Sequence, residues 1–387
     1  MAGAKKIINV GLVGYQFMGK AHSNAFRQVT KFFPEVDFEV RLKALCGRTE
    51  ERVKSAAEKF GFETYETDYQ KLVERDDIDL IDVVTPGNTH AEIAIAAANA
   101  GKMVICEKPL ANTVAEAEAM VEAVKKNNVP NAVCFNYRRI PAIALAKKMI
   151  EEGRLGKIYH FRGVYLQDWI VDPEFPLVWR LVGDVAGSGS HGDLNAHLID
   201  DALYLLGPIQ EVCGMLDTFI TERPILAESD DRLGGKASEQ KGKVTVDDSS
   251  IFLARFANGA VGTFEATRMA AGRKNHSRFE INGSKGSIVF NMERMNELEY
   301  YNADDPEDVR GFRVVQTTDS VHPYTGNYWP VGHIIGYEHT FINFMRDVLD
   351  DFVNGRPAHP SFEEGLMVQK VLDAVDESSK TRTWKSL

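Results

Sequence analysis

Met103-Val104-Ile105-Cys106-Glu107-Lys108-Pro109-Leu110 is the stretch on which the fold turns. Gly101 ends an Ala-rich helix, four apolar residues follow, and two charged residues and a proline close the run. A short apolar run between turn signals reads as a strand buried on both faces of a parallel sheet. Pro109 has no N–H and disfavours the helical region for Lys108, so the strand stops there. Lys108 is thereby held extended at the carboxyl end of a strand, beside Glu107. That edge is where open α/β sheets take their ligands. The ordinary alternative is a strand-end lysine in solvent. The sequence on either side argues for function.

Upstream, residues 7–13 form another buried strand, followed by Gly14-Tyr15-Gln16-Phe17-Met18-Gly19 and an amphipathic helix to about residue 32. The spacing is that of the dinucleotide fingerprint G-x-G-x-x-G, with Gln16 in place of the middle glycine. Gly14 makes the tight turn and Gly19 lets helix and strand close. The helix N-terminus, with Phe17 and Met18 in its lead, faces a pyrophosphate. A strand over residues 38–46 ends in Gly47-Arg48, where an acid would hold the adenosine ribose. Without that acid, and with Arg48 able to pair with a 2′-phosphate, the choice between NAD and NADP tips slightly to NADP.

A strand over residues 80–84 ends at Thr85-Pro86-Gly87-Asn88-Thr89-His90 and leads into a helix over 91–100. Thr113-Val114-Ala115-Glu116 is a capping box opening a helix to about residue 127, and residues 132–136 make a further strand. Strand and helix thus alternate through the first third of the chain. That pattern predicts a right-handed, doubly wound parallel sheet of Rossmann type.

The bulk numbers bound the rest. A chain of 387 residues is too long for one small core and predicts two domains, 1–136 and 137–387, with the last helix free to pack back on the first. A net charge of −11, from 45 basic and 56 acidic residues, excludes a nucleic-acid or anionic-membrane partner, which needs a basic footprint. No apolar run approaches the roughly 20 residues of a membrane span. Residues 1–6 lead straight into a strand rather than a secretory leader. Cys46, Cys106, Cys134 and Cys213 lack metal-ligand spacing and read as reduced residues of a cytoplasmic protein, with no metal site expected.

After Asn136 the pattern changes. A helix over 140–152 leads to an alternating strand over 158–167, then a loop rich in aromatic and small residues. Runs over 251–256, 260–267 and 279–282 are punctuated by Asn258-Gly259 and Gly283-Ser284-Lys285-Gly286, the signature of antiparallel hairpins. The second domain is therefore α+β, with an open, largely antiparallel sheet. Residues 221–243 read as a polar excursion at its edge, and helices are expected from 333 to about 353 and over 362–379.

Between the loop and the hairpins, residues 191–206 read as a helix stopped by Gly207-Pro208. Asp193 and His197 share a face that Asp200, Asp201 and Tyr204 continue, opposite a leucine-rich buried side. A histidine flanked by carboxylates is a proton acceptor suited to neutral pH, and the ordinary alternative is a surface ion pair. The lead Gly187-Ser188-Gly189-Ser190 suits close approach of backbone to a ligand. A metal reading lacks a third and fourth ligand. In the preceding loop, Gln167, Asp168, Trp169, Trp179 and Arg180 combine ring faces with hydroxyl partners, as a sugar requires. Asn136, Tyr137 and Arg138, just past a strand end, are candidates for the same reason.

Glu107-Lys108-Pro109, the Thr85-Pro86…His90 turn and the Asp193…His197 pair together resemble the Gfo/Idh/MocA oxidoreductase family, over nearly the whole chain. The resemblance implies a nucleotide-binding domain, an open antiparallel sheet and assembly as a homodimer or homotetramer. It implies that Lys108, Asp193 and His197 are catalytic. It places NAD or NADP along Gly14, Gln16, Phe17, Met18, Gly19, Gly47, Arg48, Thr85, Pro86, Asn88, His90, Glu107, Lys108 and Asn136. The expected reaction is reversible oxidation of a secondary hydroxyl of a sugar, glycoside or inositol. The alternatives are an NAD-dependent glycosidase working by redox-assisted elimination and a non-catalytic dinucleotide-binding regulator.

Overall fold

A computed structural model of the chain describes residues 5–229 and 234–387. It divides the chain into two units, residues 1–136 with 337–369 and residues 137–336 with 370–387. In the first unit β1 (Lys6–Val13), α1 (Phe17–Phe32), β2 (Phe38–Cys46) and α2 (Glu50–Phe60) come first. Then follow β3 (Thr64–Glu66), α3 (Tyr69–Val73), β4 (Leu80–Val83) and α4 (His90–Asn99). The expected strand around Ile105 is β5 (Met103–Glu107), followed by α5 (Val114–Asn127) and β6 (Asn131–Cys134).

The six strands are parallel and ordered β3-β2-β1-β4-β5-β6. Strand order reverses between β1 and β4, and ligands of such sheets bind outside the carboxyl ends at that switch point. β4 is buried at every position and β5 at all but Met103, as the unbroken apolar runs require. The capping box at Thr113 forms, with the Thr113 hydroxyl and the Glu116 carboxylate each accepting a backbone N–H from the other's turn. The short β3 and α3 lie in a polar stretch that carries no strong period.

The second unit begins with α6 (Pro141–Glu151), β7 (Ile158–Leu166) and the short α7 (Gly183–Ala186). A π-helical turn, His191–Asn195, runs directly into α8 (Ala196–Leu206). The strands that follow are β8 (Ile209–Asp217), β9 (Glu222–Ser229), β10 (Gly235–Lys243), β11 (Ser249–Phe256) and β12 (Val261–Thr267). After them come β13 (His276–Gly283), β14 (Gly286–Asn291), β15 (Glu297–Asn302) and β16 (Arg313–Gln316). Nine strands, including β17 (Lys385–Ser386), form one sheet ordered β16-β15-β14-β13-β7-β12-β11-β8-β17. Every pair in it is antiparallel except β7 with β12.

Alternation along β11 turns Phe252, Ala254 and Phe256 inward and leaves Ile251 and Leu253 exposed. The inward face carries a ring cluster of Phe161, Phe252, Phe256, Phe264 and Phe279, with Phe252 and Phe264 stacked at 4.3 Å. The excursion expected over residues 221–243 pairs with itself, β9 against β10, as a separate two-stranded sheet. Residues 230–233 of that excursion, like residues 1–4, lie outside the described residues.

Two helices close the chain, α9 (Tyr337–Val353) and α10 (Phe362–Thr381). α9 packs on α1 within the first unit, starting four residues later than the sequence suggested because Pro330, Gly332 and Gly336 hold the preceding stretch irregular. Residues of α10 up to Gln369 belong to the first unit and those from Lys370 to the second. Among the described residues, no helix is long and apolar enough to cross a membrane.

Candidate active site

In the first unit the glycine turn is built by close approach. Gly14 has φ +111°, and a Cβ there would lie 2.9 Å from the Val84 carbonyl oxygen. A Cβ on Gly19 would lie 2.4 Å from the carbonyl oxygen of Gly14, so α1 starts directly against the turn. Gln16 and Phe17 at this helix start are exposed and Met18 is half-buried. Gly47 is packed on the Tyr15 ring, and Arg48 beside it is exposed. This strand–turn–helix, with room only for backbone, fits a dinucleotide pyrophosphate.

At the ends of β4 and β5 the polar groups point inward as well as out. Thr85 accepts a hydrogen bond from Thr89 Oγ1 at 2.7 Å, while Pro86 is half-buried and Asn88 is exposed. His90 is buried, its Nδ1 3.0 Å from the Pro109 carbonyl and its Nε2 2.8 Å from the Thr85 carbonyl. Burial holds its pKa below the usual range. Lys108 is half-buried at the end of β5, and the Lys108–Pro109 peptide is cis. Glu107 is buried. Its Oε2 accepts the Lys108 N–H at 3.0 Å and its Oε1 lies 2.9 Å from His22 Nε2. Asn136 is buried too, donating to Thr340 Oγ1 at 2.6 Å.

The second unit holds residues 167–180 and the Asp/His pair. Asp193 lies in the π-helical turn, and its carboxylate accepts from Arg268 Nη2 at 2.8 Å. The Arg268 side chain is only 1% exposed and also donates to the carbonyls of Gly189 and Arg180, while its guanidinium lies 5.3 Å from the Trp169 ring. One buried cation therefore ties Asp193, Trp169 and Arg180 together. His197 opens α8 and stacks on Tyr137, ring centroids 4.0 Å apart. Tyr137 Oη lies 2.8 Å from Tyr165 Oη, Tyr165 donates to Asn275 Oδ1, Gln167 donates to the same oxygen, and Trp169 donates to Gln167. Burial, reinforced by the nearby Asp193 and Asp201, pushes the Tyr137 phenol well above its usual range, so it stays protonated.

Several other expected residues have partners within the second unit. Arg138 is buried and grips Asp200 with Nε and Nη2 at 2.8 and 2.6 Å, so it serves the interior instead of presenting a free guanidinium. Asp168 is tied to Lys274 and to the N–H of Gly272. Trp179 is covered by the Arg180 guanidinium at 4.3 Å. The polar face read on α8 is not a surface: Asp200 and Asp201 are each 1% exposed. Burial, then Asp200, drives the Asp201 pKa well up, and neither Asp201 oxygen has a hydrogen-bond partner among the described residues.

The glycine-rich lead serves packing as well. A Cβ on Gly189 would meet the Asp247 carbonyl oxygen at 1.8 Å, while the Asp247 carboxylate accepts from Gly189 N, Ser190 Oγ and His191 N. Arg268, Asn275, Tyr165 and Asp247 carry no local sequence signal, because each acts on residues far away in the chain.

Both halves of the chain match family models, residues 8–135 as an oxidoreductase family with an NAD-binding Rossmann fold and residues 143–289 as the GFO/IDH/MocA C-terminal domain. The chain belongs to the Gfo/Idh/MocA family of oxidoreductases. It is 48% identical to levoglucosan dehydrogenase of Pseudarthrobacter phenanthrenivorans over 97% of each chain. Among solved structures it resembles an oxidoreductase domain protein from Kribbella flavida, 50% identical with a TM-score of 0.93 over 98% of this chain and 99% of that one. It resembles equally a levoglucosan dehydrogenase in complex with NADH and levoglucosan, 46% identical with a TM-score of 0.93 over 98% and 99%.

Proposed function

We propose that this chain is an NAD-dependent dehydrogenase oxidising a secondary hydroxyl of a pyranose-type sugar, with levoglucosan and related anhydrosugars as the first candidates. The observation that carries this reading is the constellation in the second unit, where Arg268 joins Asp193 to the face of Trp169 and His197 lies on Tyr137. Such ring faces suit the C–H faces of a pyranose, and the Asp, Gln and Asn groups suit its hydroxyls. The levoglucosan dehydrogenase relatives support the substrate class. The NADH held by the solved relative supports NAD over the NADP that Arg48 favoured.

The residues at the glycine turn would hold the dinucleotide, which supplies a hydride acceptor when bound. The protein supplies orientation and proton handling. His197 takes the proton of the substrate hydroxyl as the C–H bond breaks, and Lys108 donates a hydrogen bond to the developing alkoxide. Asp193, fixed by Arg268, orients the sugar. Tyr137, Gln167, Asp168, Trp169, Trp179 and Arg180 shape the sugar site, directly or through the Asn275 chain. Four cysteines without a disulfide fit a reducing cytoplasm. The exposed apolar row of Tyr159, Met215, Ile251, Leu253 and Val261 supports a homodimer or homotetramer through the outer face of the large sheet.

The test is absorbance-monitored NADH formation with levoglucosan, glucose, alkyl glucosides and myo-inositol, in parallel with NADP. Turnover of a sugar with NAD is the expected result. Release of an aglycone without net NADH would shift the reading to a redox-assisted glycosidase. Cofactor binding with no turnover across the panel would favour a regulator.

A further inference from the structure

His22, Asp82, Glu107 and Cys134 form a buried polar cluster in the first unit that no step of the proposed reaction uses. Asp82 and Glu107 sit on the adjacent strands β4 and β5, both in the dry interior of the sheet. Two carboxylates there are costly unless a cation lies between them. His22 of α1, fully buried, supplies it. Its Nδ1 lies 2.8 Å from Asp82 Oδ2 and its Nε2 2.9 Å from Glu107 Oε1. An imidazole with a carboxylate against each nitrogen donates from both, which requires the doubly protonated form.

The surroundings agree. Burial alone lowers the His22 pKa, but Asp82 and then Cys134 together more than reverse this and lift it well above 6.5. Burial raises Glu107, yet the His22 hydrogen bond and charge, with Lys108, bring it below its usual range. Burial raises Asp82. Beside His22 lie the Phe341 ring, 5.4 Å away, and the Cys134 thiol, whose pKa burial pushes up to about 12, leaving it uncharged; the Cys106 thiol and His90 also feel Glu107.

The second oxygen of Glu107 is the one that accepts the Lys108 N–H. We propose that His22 is a positioning residue for Lys108: it fixes the Glu107 carboxylate, and that carboxylate fixes the backbone from which the lysine side chain leaves the strand. His90 restrains the next residue through the Pro109 carbonyl. The inference rests on Lys108 having the role given above. Glu107 was expected to touch the cofactor; in this arrangement it works through the backbone it holds.

The test is a double-mutant cycle, with folding checked by thermal melting and NAD affinity by calorimetry. His22→Gln should lower kcat on the order of 10- to 100-fold, the scale of a displaced catalytic group, with NAD affinity and sugar KM within about threefold. Glu107→Gln, which keeps shape but leaves one acceptor oxygen for the two donors His22 Nε2 and Lys108 N–H, should do the same, and it stands in if the His22 variant does not fold. In a Lys108→Ala background, by single turnover, either substitution should cost almost nothing further. A Lys108→Ala variant that retains turnover refutes the role of Lys108. If Lys108→Ala is impaired as expected but His22→Gln or Glu107→Gln lowers its residual rate as much as the parent's, the positioning role is wrong. Stoichiometric metal in the parent that His22→Gln loses would also overturn it, since His22, Glu107 and Cys134 stand within mutual ligand reach.

Discussion

The two units both bury charge, and they manage it in opposite ways. In the first, the cation between Asp82 and Glu107 is a histidine, which can lose its proton. In the second, the buried cations are arginines: Arg138 on Asp200, Arg268 on Asp193, and Arg223 on the carbonyls of Ile170 and Asp172. Arginine stays charged at any pH the fold survives, and its fork spans several acceptors at once. The first arrangement holds a short backbone segment through one carboxylate. The second ties loops to regular elements, Arg138 to α8 and Arg223 of β9 to the carbonyls of Ile170 and Asp172. The lesson is that a titratable clamp suffices where the scaffold is a parallel sheet, whereas a site assembled from loops needs a permanent one.

The severest way to break the comparison is to remove one proposed reacting group from each side. Lys108→Ala and His197→Ala should each lower kcat by roughly 10²–10⁴-fold with NAD affinity retained, and the double variant should lose far less than the product. Retained turnover in either, within about threefold of the parent, would defeat the assigned roles.

Next in size is Arg268→Gln. Breaking a fully buried ion pair costs about 3–5 kcal/mol, and because Asp193 is 30% exposed we expect about 2–4 kcal/mol, read from urea midpoints, together with a rise in sugar KM. A midpoint shift near zero would mean that the loops hold without their cation.

The pH responses should separate the units more gently. The folded pKa of His22 is raised, so its contribution is complete below 6.5 and lost as pH rises through the folded value. Glu107, lowered, contributes above 4.5 and loses this as pH falls through its folded value. At Asp201 burial and the Asp200 charge outweigh the nearby Arg138. With a raised folded pKa, its stabilisation is present below 3.8 and lost as pH rises. Asp201→Asn should therefore lose less stability than the parent between about pH 5 and about pH 8, by urea melts. An identical loss in both would place the alkaline sensitivity elsewhere. Smallest of all, Arg48→Ala should change the KM for NAD about twofold at most, as exposed positions do. A larger change confined to NADP would reopen the 2′-phosphate reading.

Legibility in the sequence follows the same division. Lys108 could be placed because its position is set by neighbours: four apolar residues before it and Pro109 after it. The capping box at Thr113 and the hairpins at Asn258-Gly259 and Gly283 were equally local. What holds Lys108 was hidden, since His22 reaches Glu107 across 85 residues. In the second unit Arg268 meets Asp193 across 75 residues and Arg138 meets Asp200 across 62, so Arg138 read as a pocket residue and Arg268 drew no attention. The glycines at 187–192 read as room for a ligand, and the neighbour of Gly189 is Asp247 while that of Gly192 is Ser188. The π-helical turn left no trace either, because an apolar period fits an α-helix through the same residues.

The complete burial around α8 has a consequence in time. Ala196 to Ala202 are buried without a break, so amides there have no small opening through which to meet solvent. Their hydrogen exchange should proceed only when the whole unit unfolds, while amides in the exposed β10 strand exchange through local fraying. The backbone beneath His197 then keeps one conformation for as long as the unit stays folded. On the proposed reading, a new substrate would have to be accommodated by residues 167–180, because a helix that opens only with its whole unit answers more slowly than turnover.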